Sequence, residues 1–195
     1  MGVAGILLTG GASTRMGIPK AQLSLEAGTS FAVGLARLLS ETVSTVVECG
    51  MGLSGYECVA ESEVGSGPAR ATVDSLRALW YREEISRFLV LGCDYPAMTT
   101  STLSWLLAEA GECSAIVSLD GYRQFLPMVI TKRGAAELAF SADEGIRSLA
   151  ALFDGLSDAV VIQEARIPQS YRRAFQDCDT PADHVRILGR SPSLF

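Results

Sequence analysis

The stretch GILLTGGASTRMGIPKAQL, residues 5–23, decides the fold of this chain. Its apolar start has the character of a buried strand and stops at the glycine pair Gly10-Gly11. Glycines let the main chain approach a ligand closely, so that backbone N–H groups can face an anion. Arg15 and Lys20 add two cations to the same loop, and Lys20 is one of only two lysines in the chain. The stretch therefore predicts a strand followed by a phosphate-binding loop.

Two common phosphate-binding motifs do not fit this loop. A P-loop requires G-x-x-x-x-G-K-[ST], but Ile18 and Pro19 separate Gly17 from Lys20, so the lysine does not directly follow the glycine. The dinucleotide fingerprint G-x-G-x-x-G also fails, because Gly10 and Gly11 are adjacent. The pattern that remains, over residues 8–20, is L-x-G-G-x-S-x-R-M-G-x-x-K. A glycine turn with two solvated cations and no ligand is the alternative interpretation.

Composition limits the protein to a few classes. A chain of 195 residues, 48% of them apolar, can bury a core without disulfides or a structural metal. We predict a single domain over residues 1–188, with residues 189–195 as a loose tail. The net charge of −6 and the lack of a lysine cluster argue against nucleic-acid binding.

The cysteines and the hydropathy of the sequence indicate the cellular compartment of the protein. The chain has five cysteines without a C-x-x-C pair, and an odd number cannot all form disulfides. We predict that they are reduced core residues of a cytoplasmic protein. The sequence contains neither a signal peptide nor a run of about eighteen apolar residues, which predicts no membrane association.

Strand and helix patterns alternate along the chain, and this order predicts an α/β fold. A mostly parallel sheet with helices on both faces is the architecture that such alternation favours. Predicted strands cover residues 3–8, 45–49, 56–60, 88–91, 114–119, 126–131 and 159–162. Predicted helices cover residues 30–41, 101–110, 134–140 and 145–153, with others after Pro68 and after Pro181. Ser30 is the predicted N-cap of the first of them.

Asp94 follows the buried strand at residues 88–91. Open α/β sheets bind ligands beyond the carboxyl ends of their strands, and a carboxylate buried there is costly without a partner. Because the loops at this edge lie side by side, we expect Lys20 and Asp94 to meet at one site. Mg²⁺ is a suitable partner beside a polyphosphate, because it takes one or two carboxylates and completes its shell with phosphate oxygens and water. An Asx-turn before Pro96 is the alternative interpretation of Asp94.

Two further loops can be explained without a ligand. The polar stretch at residues 61–69 leads into a helix, and Pro68 after Gly67 suits the first turn of that helix. Likewise, Asp179 or Thr180 before Pro181 suits a helix N-cap, which would explain the Asp179-Thr180-Pro181 segment completely.

The sequence lacks the residues that several classes of reaction require. The single histidine, His184, stands apart from any nucleophile motif, and it cannot form a zinc site with dispersed cysteines. A nucleophile that is already ionised needs no general base. Attack by a phosphate monoester on the α-phosphorus of a nucleoside triphosphate is such a reaction, and it requires mainly positioning and charge neutralisation.

The motif at residues 8–20 resembles that of the molybdenum cofactor guanylyltransferase family of nucleotidyltransferases. The resemblance extends from residue 3 to about 188 and includes G-C-D-Y-P at residues 92–96. It implies a three-layer α/β/α Rossmann-like fold, mostly parallel with one antiparallel strand. It also implies transfer of GMP from GTP to molybdopterin with release of pyrophosphate, assisted by Mg²⁺.

The resemblance assigns roles to individual residues. The implied catalytic residues are Arg15, Lys20 and Asp94. The implied nucleotide-binding residues are Leu8, Thr9, Gly10, Gly11, Lys20, Glu61, Gly67, Pro68 and Asp94. The implied metal ligands are Asp94 and Asp179, and the implied acceptor-binding residues are Gln124, Pro127 and Arg147. Arg147, in the first turn of the predicted helix at residues 145–153, can equally be a solvated surface residue.

The sequence departs from the family at two points. Residues 67–71 read G-P-A-R-A where the family has G-P-L-A-G, and Glu61 stands where relatives often have an aspartate. Two other functions therefore stay open. One is a nucleotidyltransferase of the same fold that uses CTP or a sugar phosphate, and the other is a GTP-binding accessory protein without turnover. Transient contact with molybdoenzymes or other cofactor-biosynthesis proteins is a related expectation.

Overall fold

A computed structural model of the protein describes residues 2–11, 16–26, 28–63 and 65–194. Its strands are β1 (Gly2–Leu8), β2 (Ser24–Glu26), β3 (Thr29–Ser30), β4 (Thr45–Cys49), β5 (Glu57–Val59), β6 (Ile85–Gly92), β7 (Ser114–Leu119), β8 (Tyr122–Thr131) and β9 (Ala159–Ile162). Its α-helices are α1 (Phe31–Thr42), α2 (Pro68–Leu79), α3 (Thr100–Ala110), α4 (Lys132–Asp143), α5 (Leu149–Asp154) and α6 (Pro181–Leu188).

Within the described residues, seven strands form one sheet in the order β5-β4-β1-β6-β8-β7-β9. The β1 strand pairs in parallel with β4 and β6, and β5 and β9 are also parallel to their neighbours. Only β8 reverses direction, pairing antiparallel with both β6 and β7. The predicted fold class, a mostly parallel sheet with one antiparallel strand and helices on both faces, is confirmed.

The central strands β1 and β6 are mostly apolar because both faces of the sheet are covered. Side chains alternate between the faces of a strand, so neighbouring residues enter different cores. Leu89 and Leu91 of β6 pack in the core that contains α1 and α3. Phe88 and Val90 pack in the core that contains α2, α4 and α5. The three layers leave the carboxyl edge of the sheet open for a site.

Side-chain caps fix where several helices begin. The Ser30 side chain accepts a hydrogen bond from Val33 N, which confirms Ser30 as the predicted N-cap of α1. The predicted helix at residues 145–153 begins too early, because α5 starts at Leu149 and Ser148 caps it. Gly145 has a φ of 95°, which is incompatible with a helical turn. Arg147 therefore precedes the helix and does not lie in its first turn.

The end of the chain is not loose as far as residue 194. Ser24 N donates to Ser193 O at 2.9 Å, and Leu23 forms a β-bridge with Leu194. His184, predicted to be a packing or surface residue, is 1% exposed and stacks on Phe31. These contacts pack the C-terminal residues against β2, so the predicted tail is wrong for residues 189–194.

Two other predictions concern the state of the cysteines and the presence of a membrane-spanning segment. All five cysteines, which lie among the described residues, are free thiols. Cys49, Cys93 and Cys178 are buried as predicted, but Cys58 is exposed and Cys113 is half-buried. In the part of the chain that the structure describes, no helix is long and apolar enough to span a membrane.

Phe88 offers a test of the packing. Its side chain is fully buried between β6 and the helices of one face. Truncation of a buried phenylalanine removes apolar contacts and leaves a cavity, so Phe88→Ala is expected to reduce the free energy of unfolding by about 3–5 kcal/mol. Phe140→Ala is the matched control, because Phe140 is 68% exposed. Urea denaturation of both variants measures the difference, and equal losses would contradict the packing described.

Candidate active site

A cleft of about 280 Å³ opens at the carboxyl ends of β1 and β6. Its lining comes from five parts of the chain: β1 and the loop after it, α2 and the loop before it, β6 and the loop after it, β8, and the segment before α6. The lining residues are Leu8, Gly10, Gly11, Lys20, Glu61, Gly65, Gly67, Pro68, Ala71, Gly92, Cys93, Asp94, Leu126 and Asp179. Residues far apart in sequence thus share one cleft, as the parallel topology requires.

Lys20 joins two carboxylates at the centre of this cleft. Its Nζ lies 3.3 Å from Asp94 Oδ2, and it also forms a short ion pair with Asp179 Oδ1. Lys20 begins a short 3₁₀ turn, Lys20–Gln22. Asp94 is the second residue after β6. The main chain supports the arrangement, because Cys178 N donates to Asp94 O at 2.7 Å. The predicted convergence of Lys20 and Asp94 is confirmed.

The three charges stabilise one another in a partly buried setting. Burial alone would lower the pKa of Lys20, but the charges and hydrogen bonds of Asp94 and Asp179 outweigh it and raise the pKa. Burial raises the pKa of Asp94, and the neighbouring Lys20 ammonium opposes that rise. Lys20 is therefore firmly cationic at neutral pH and available to neutralise an anion.

Asp179 does not act as a helix cap. The N-cap of α6 is Thr180, whose side chain accepts from Asp183 N while the Asp183 carboxylate accepts from Thr180 N. This capping box leaves the Asp179 carboxylate directed at Lys20. The interpretation of Asp179 as the cap residue is wrong, and its side chain belongs to the cleft.

The acidic pair suits a hard divalent cation bound together with a phosphate ligand. Asp94 and Asp179 both approach Lys20 Nζ, so their carboxylates face the same small region. Mg²⁺ or Mn²⁺ needs only one or two carboxylates when phosphate oxygens and water fill its shell. Among the described residues no group of three or more histidine, cysteine or acidic side chains is placed to hold a metal alone. The donor set therefore fits a metal that arrives with its ligand.

Glycines and a helix start form the opposite wall of the cleft. Gly11 has a φ of 114°, and Gly67, the N-cap of α2, has a φ of 90°. Both values lie where side chains are disfavoured. Pro68 occupies the first turn of α2, and its ring and Gly67 face the cleft. The amino end of a helix attracts anions through its free N–H groups and dipole, so this wall suits phosphate.

Glu61 lies against the glycine pair. A Cβ atom on Gly10 would overlap Glu61 Oε1, so only glycine fits at position 10 in this arrangement. The other carboxylate oxygen, Oε2, accepts a hydrogen bond from Gly65 N at 3.0 Å. Glu61 therefore connects the loop after β1 to the loop before α2 at the rim of the cleft.

A buried glutamate, which the sequence reasoning missed, lies behind the glycines. Glu48 is fully buried in β4, where its carboxylate accepts hydrogen bonds from Thr9 Oγ1, Leu53 N and Ser54 N. Thr9 was predicted to bind the nucleotide, but it is 2% exposed and its side chain is bonded to Glu48. The available signal was the single acidic residue in the apolar run at residues 45–49.

The protonation of Glu48 makes stability depend on pH. Burial alone would raise the pKa of Glu48, but the hydrogen bonds from Ser54, Thr9 and Leu53 hold it below its ordinary value of 4.5. A lowered pKa contributes stability that is present above the ordinary value and is lost as the pH falls through the lowered one. At pH 7 we expect Glu48→Gln to cost about 2–3 kcal/mol, because hydrogen bonds to a charged group are lost.

Urea denaturation of the wild type and Glu48→Gln at pH 7 and below pH 4 measures this dependence. The difference between the two proteins is expected to shrink as the pH falls through the lowered pKa of Glu48, where the wild-type carboxylate takes up a proton. A difference that stays constant over that range would show that the charge of Glu48 is not what stabilises the loop.

Comparison with known proteins identifies the family. A family model described as the MobA-like NTP transferase domain matches residues 5–160, most of the chain. The chain is a MobA-like nucleotidyltransferase. A Mycobacterium avium protein named probable molybdenum cofactor guanylyltransferase is 31% identical over 200 residues, covering 98% of this chain and 97% of that protein. The predicted family and the predicted enzyme class are confirmed.

Solved structures agree with the fold of this MobA-like nucleotidyltransferase. Molybdopterin-guanine dinucleotide biosynthesis protein A from Archaeoglobus fulgidus has a TM-score of 0.75 at 20% identity, with 94% of this chain and 96% of that chain covered. A Mycobacterium tuberculosis protein solved as a complex with manganese has a TM-score of 0.63 at 16% identity, with 97% and 99% covered. At these identities the likeness shows the fold alone.

The predicted acceptor residues of the MobA-like protein do not line the cleft. Gln124 lies on β8, paired with Val117, and Pro127 is further along the same strand. Leu126 between them does line the cleft, which brings β8 to its edge. Arg147 lines a separate, smaller cavity with Ser66 and other residues of the loop before α2. Arg15 lies outside the described residues, so its predicted catalytic role stays a prediction.

Proposed function

We propose that this protein transfers GMP from GTP to molybdopterin, with release of pyrophosphate and with Mg²⁺ as the divalent metal. The observation that carries the proposal is the contact of Lys20 with both Asp94 and Asp179 in a cleft walled by glycines. Cation, carboxylates and backbone donors are the groups that nucleotidyl transfer requires. The name of the Mycobacterium avium relative supports this choice of nucleotide and acceptor.

The proposed reaction needs positioning rather than proton abstraction. An ionised phosphate oxygen of the acceptor attacks the α-phosphorus of GTP and forms a new P–O bond. The bond between the α-phosphorus and the oxygen that bridges to the β-phosphorus breaks, and pyrophosphate leaves with the electron pair. The nucleophile arrives already deprotonated, so no side chain has to act as general base, in keeping with a cleft that offers charges and N–H donors.

Each side of the cleft has a distinct task in this proposal. The backbone of Gly10-Gly11 and the amino end of α2 bind phosphate and hold the nucleotide. Lys20 neutralises charge that develops on the leaving pyrophosphate, and Arg15 is proposed to add a second cation. Asp94 and Asp179 would hold Mg²⁺, which supplies charge neutralisation across the phosphates when bound.

Guanine is the base that the glycine wall favours. The Glu61 carboxylate lies beside Gly10 at the rim, where it can accept hydrogen bonds. Guanine presents two adjacent donors, N1–H and N2–H, on its Watson–Crick edge, which match the two oxygens of a carboxylate, whereas cytosine presents only its N4 amino group beside the N3 acceptor. Gln124 and Pro127, which lie near Leu126 on β8, and Arg147, which lines the separate smaller cavity, remain the proposed acceptor-side residues. Since the cysteines are free, we also propose a cytoplasmic setting. Transient contact with molybdoenzymes is proposed only as a consequence of the proposed product.

Pyrophosphate release tests the proposal. Purified protein is incubated with molybdopterin, Mg²⁺ and either GTP or CTP, and pyrophosphate and the dinucleotide product are quantified. We expect release with GTP that depends on molybdopterin and on Mg²⁺. Faster release with CTP or with a sugar phosphate would assign another nucleotidyltransferase activity. Tight GTP binding without release with any acceptor would indicate an accessory protein.

A further inference from the structure

We propose that Glu48 is a positioning residue that sets the shape of the Gly10-Gly11 backbone for nucleotide binding, acting through Thr9. This inference rests on the proposed function, because it assigns those glycines to the nucleotide. Glu48 itself does not line the cleft; it lies behind it, fully buried in β4. Its effect on a ligand must therefore be transmitted by residues that connect it to the cleft wall.

Thr9 provides the first connection. Its side chain donates to Glu48 Oε1, and the same oxygen atom of Thr9 accepts from Met51 N at 2.9 Å. The main chain of Thr9 is held as well, because Thr9 N donates to Cys49 O at 2.9 Å. Thr9 directly precedes Gly10, so fixing both its backbone and its side chain fixes where the glycine pair begins.

The loop after β4 provides the second connection. Glu48 Oε1 accepts from Leu53 N at 3.0 Å, and Oε2 accepts from Ser54 N at 2.7 Å. These bonds fold residues 50–54 back over the end of β4. Gly50 is pressed against the glycine pair, because a Cβ atom on Gly50 would overlap Gly10 N. The loop that Glu48 holds is therefore in direct contact with the cleft wall.

The carboxylate suits this task better than an amide would. An ionised carboxylate is an acceptor only, and here it receives one hydroxyl and two backbone N–H groups. Glutamine has a single acceptor oxygen, so its NH₂ group would face one of these donors. One of the hydrogen-bonded groups must then move, either the Thr9 side chain or the backbone at residues 53–54. Small displacements of groups that position a ligand have large effects on binding and rate.

The experiment compares four variants with the wild type, all in the complete protein. Glu48→Gln and Thr9→Val remove the connection at its two ends, while Thr9→Ser restores the hydroxyl. Thr45→Val, at the other end of β4, is a matched control for the loss of a hydroxyl. The measurements are the dissociation constant for GTP with Mg²⁺, the split between KM and kcat, and the amide chemical shifts of Gly10 and Gly11 in ¹⁵N-labelled protein without nucleotide.

We expect Glu48→Gln and Thr9→Val to shift the Gly10 and Gly11 amides and to weaken GTP binding about tenfold or more, with the change mainly in KM. Thr9→Ser is expected to regain most of the affinity, and Thr45→Val to leave it unchanged. Unaltered amide shifts and GTP affinity, with only a lower melting temperature, would overturn the inference. If Glu48→Gln does not fold, the amide shifts and GTP affinity of Thr9→Val decide whether the inference holds. If the wild type binds no GTP, the proposed function fails and the amide shifts alone decide the role of Glu48.

Discussion

Replacing Asp94 by asparagine is expected to lower kcat for pyrophosphate release at least about a hundredfold. Asparagine has nearly the same shape but lacks the negative charge that would hold Mg²⁺ and that pairs with Lys20 Nζ at 3.3 Å. The main-chain contact from Cys178 N to Asp94 O does not involve the side chain and is retained. The variant is therefore expected to fold and to unfold cooperatively on heating. Pyrophosphate release with GTP, molybdopterin and Mg²⁺ measures the effect.

Asp143→Asn is the matched control for this substitution. The Asp143 side chain is 63% exposed and pairs with Arg77 on the outer surface, away from the cleft. Exposed ion pairs contribute little to stability, so the control is expected to keep both its activity and its melting temperature. Near-normal turnover by Asp94→Asn, at the Mg²⁺ concentration that saturates the wild type, would remove Asp94 from the proposed metal site.

Replacing Lys20 by methionine is expected to weaken GTP binding and to lower kcat, about a hundredfold in kcat/KM. Methionine fills a similar space but brings no charge to the phosphates. Lys132→Met is a natural control, because Lys132 is the other lysine of the chain and its ammonium contacts Arg82 O and the Trp80 ring on the outer surface. GTP titration and steady-state kinetics on both variants make the comparison, and equal losses would contradict a specific role for Lys20.

The Lys20→Met variant also has a pH signature. In the wild type the raised pKa of Lys20 means that its ammonium stabilises the fold at every pH below its ordinary value of 10.5, and this contribution is lost as the pH rises through the raised pKa. The variant leaves Asp94 and Asp179 facing each other without that charge. We expect it to be less stable than the wild type at pH 7, and closer to it at an acidic pH below the raised pKa of Asp94, where that carboxylate is protonated. Thermal unfolding at the two pH values measures this.

Sequence patterns correctly predicted those strands whose ends are determined by neighbouring residues in the sequence. Strands β4, β7 and β9 occupy the predicted residues 45–49, 114–119 and 159–162, since each is a short apolar run ended by polar or glycine residues. The convergence of Lys20 and Asp94 followed from topology, because loops at the carboxyl ends of parallel strands share one edge. No direct contact had to be known for that prediction.

Contacts between distant backbone atoms could not be predicted in the same way. Glu48 is stable in an apolar strand only because Leu53 N and Ser54 N turn back to meet it, and no pattern in the sequence specifies that turn. The C-terminal residues were predicted to be loose because they lack a helical or strand pattern, yet Ser193 O accepts from Ser24 N. Asp179 was a plausible cap until Thr180 and Asp183 were found to cap each other.

The reversal of β8 has a consequence for how such an enzyme can diverge. The strands β5, β4, β1 and β6 and their loops build the glycine wall, whereas β8, β7 and β9 form the other half of the sheet. Because β8 runs backwards, Leu126 lies at the cleft while the tip of the strand, its first residue Tyr122, is 74% exposed to solvent. Mutations at that tip alter one rim without disturbing the wall opposite. The two halves of the sheet can therefore acquire substitutions independently. In a descendant of such a protein, the second substrate can change while the binding of the first substrate is conserved.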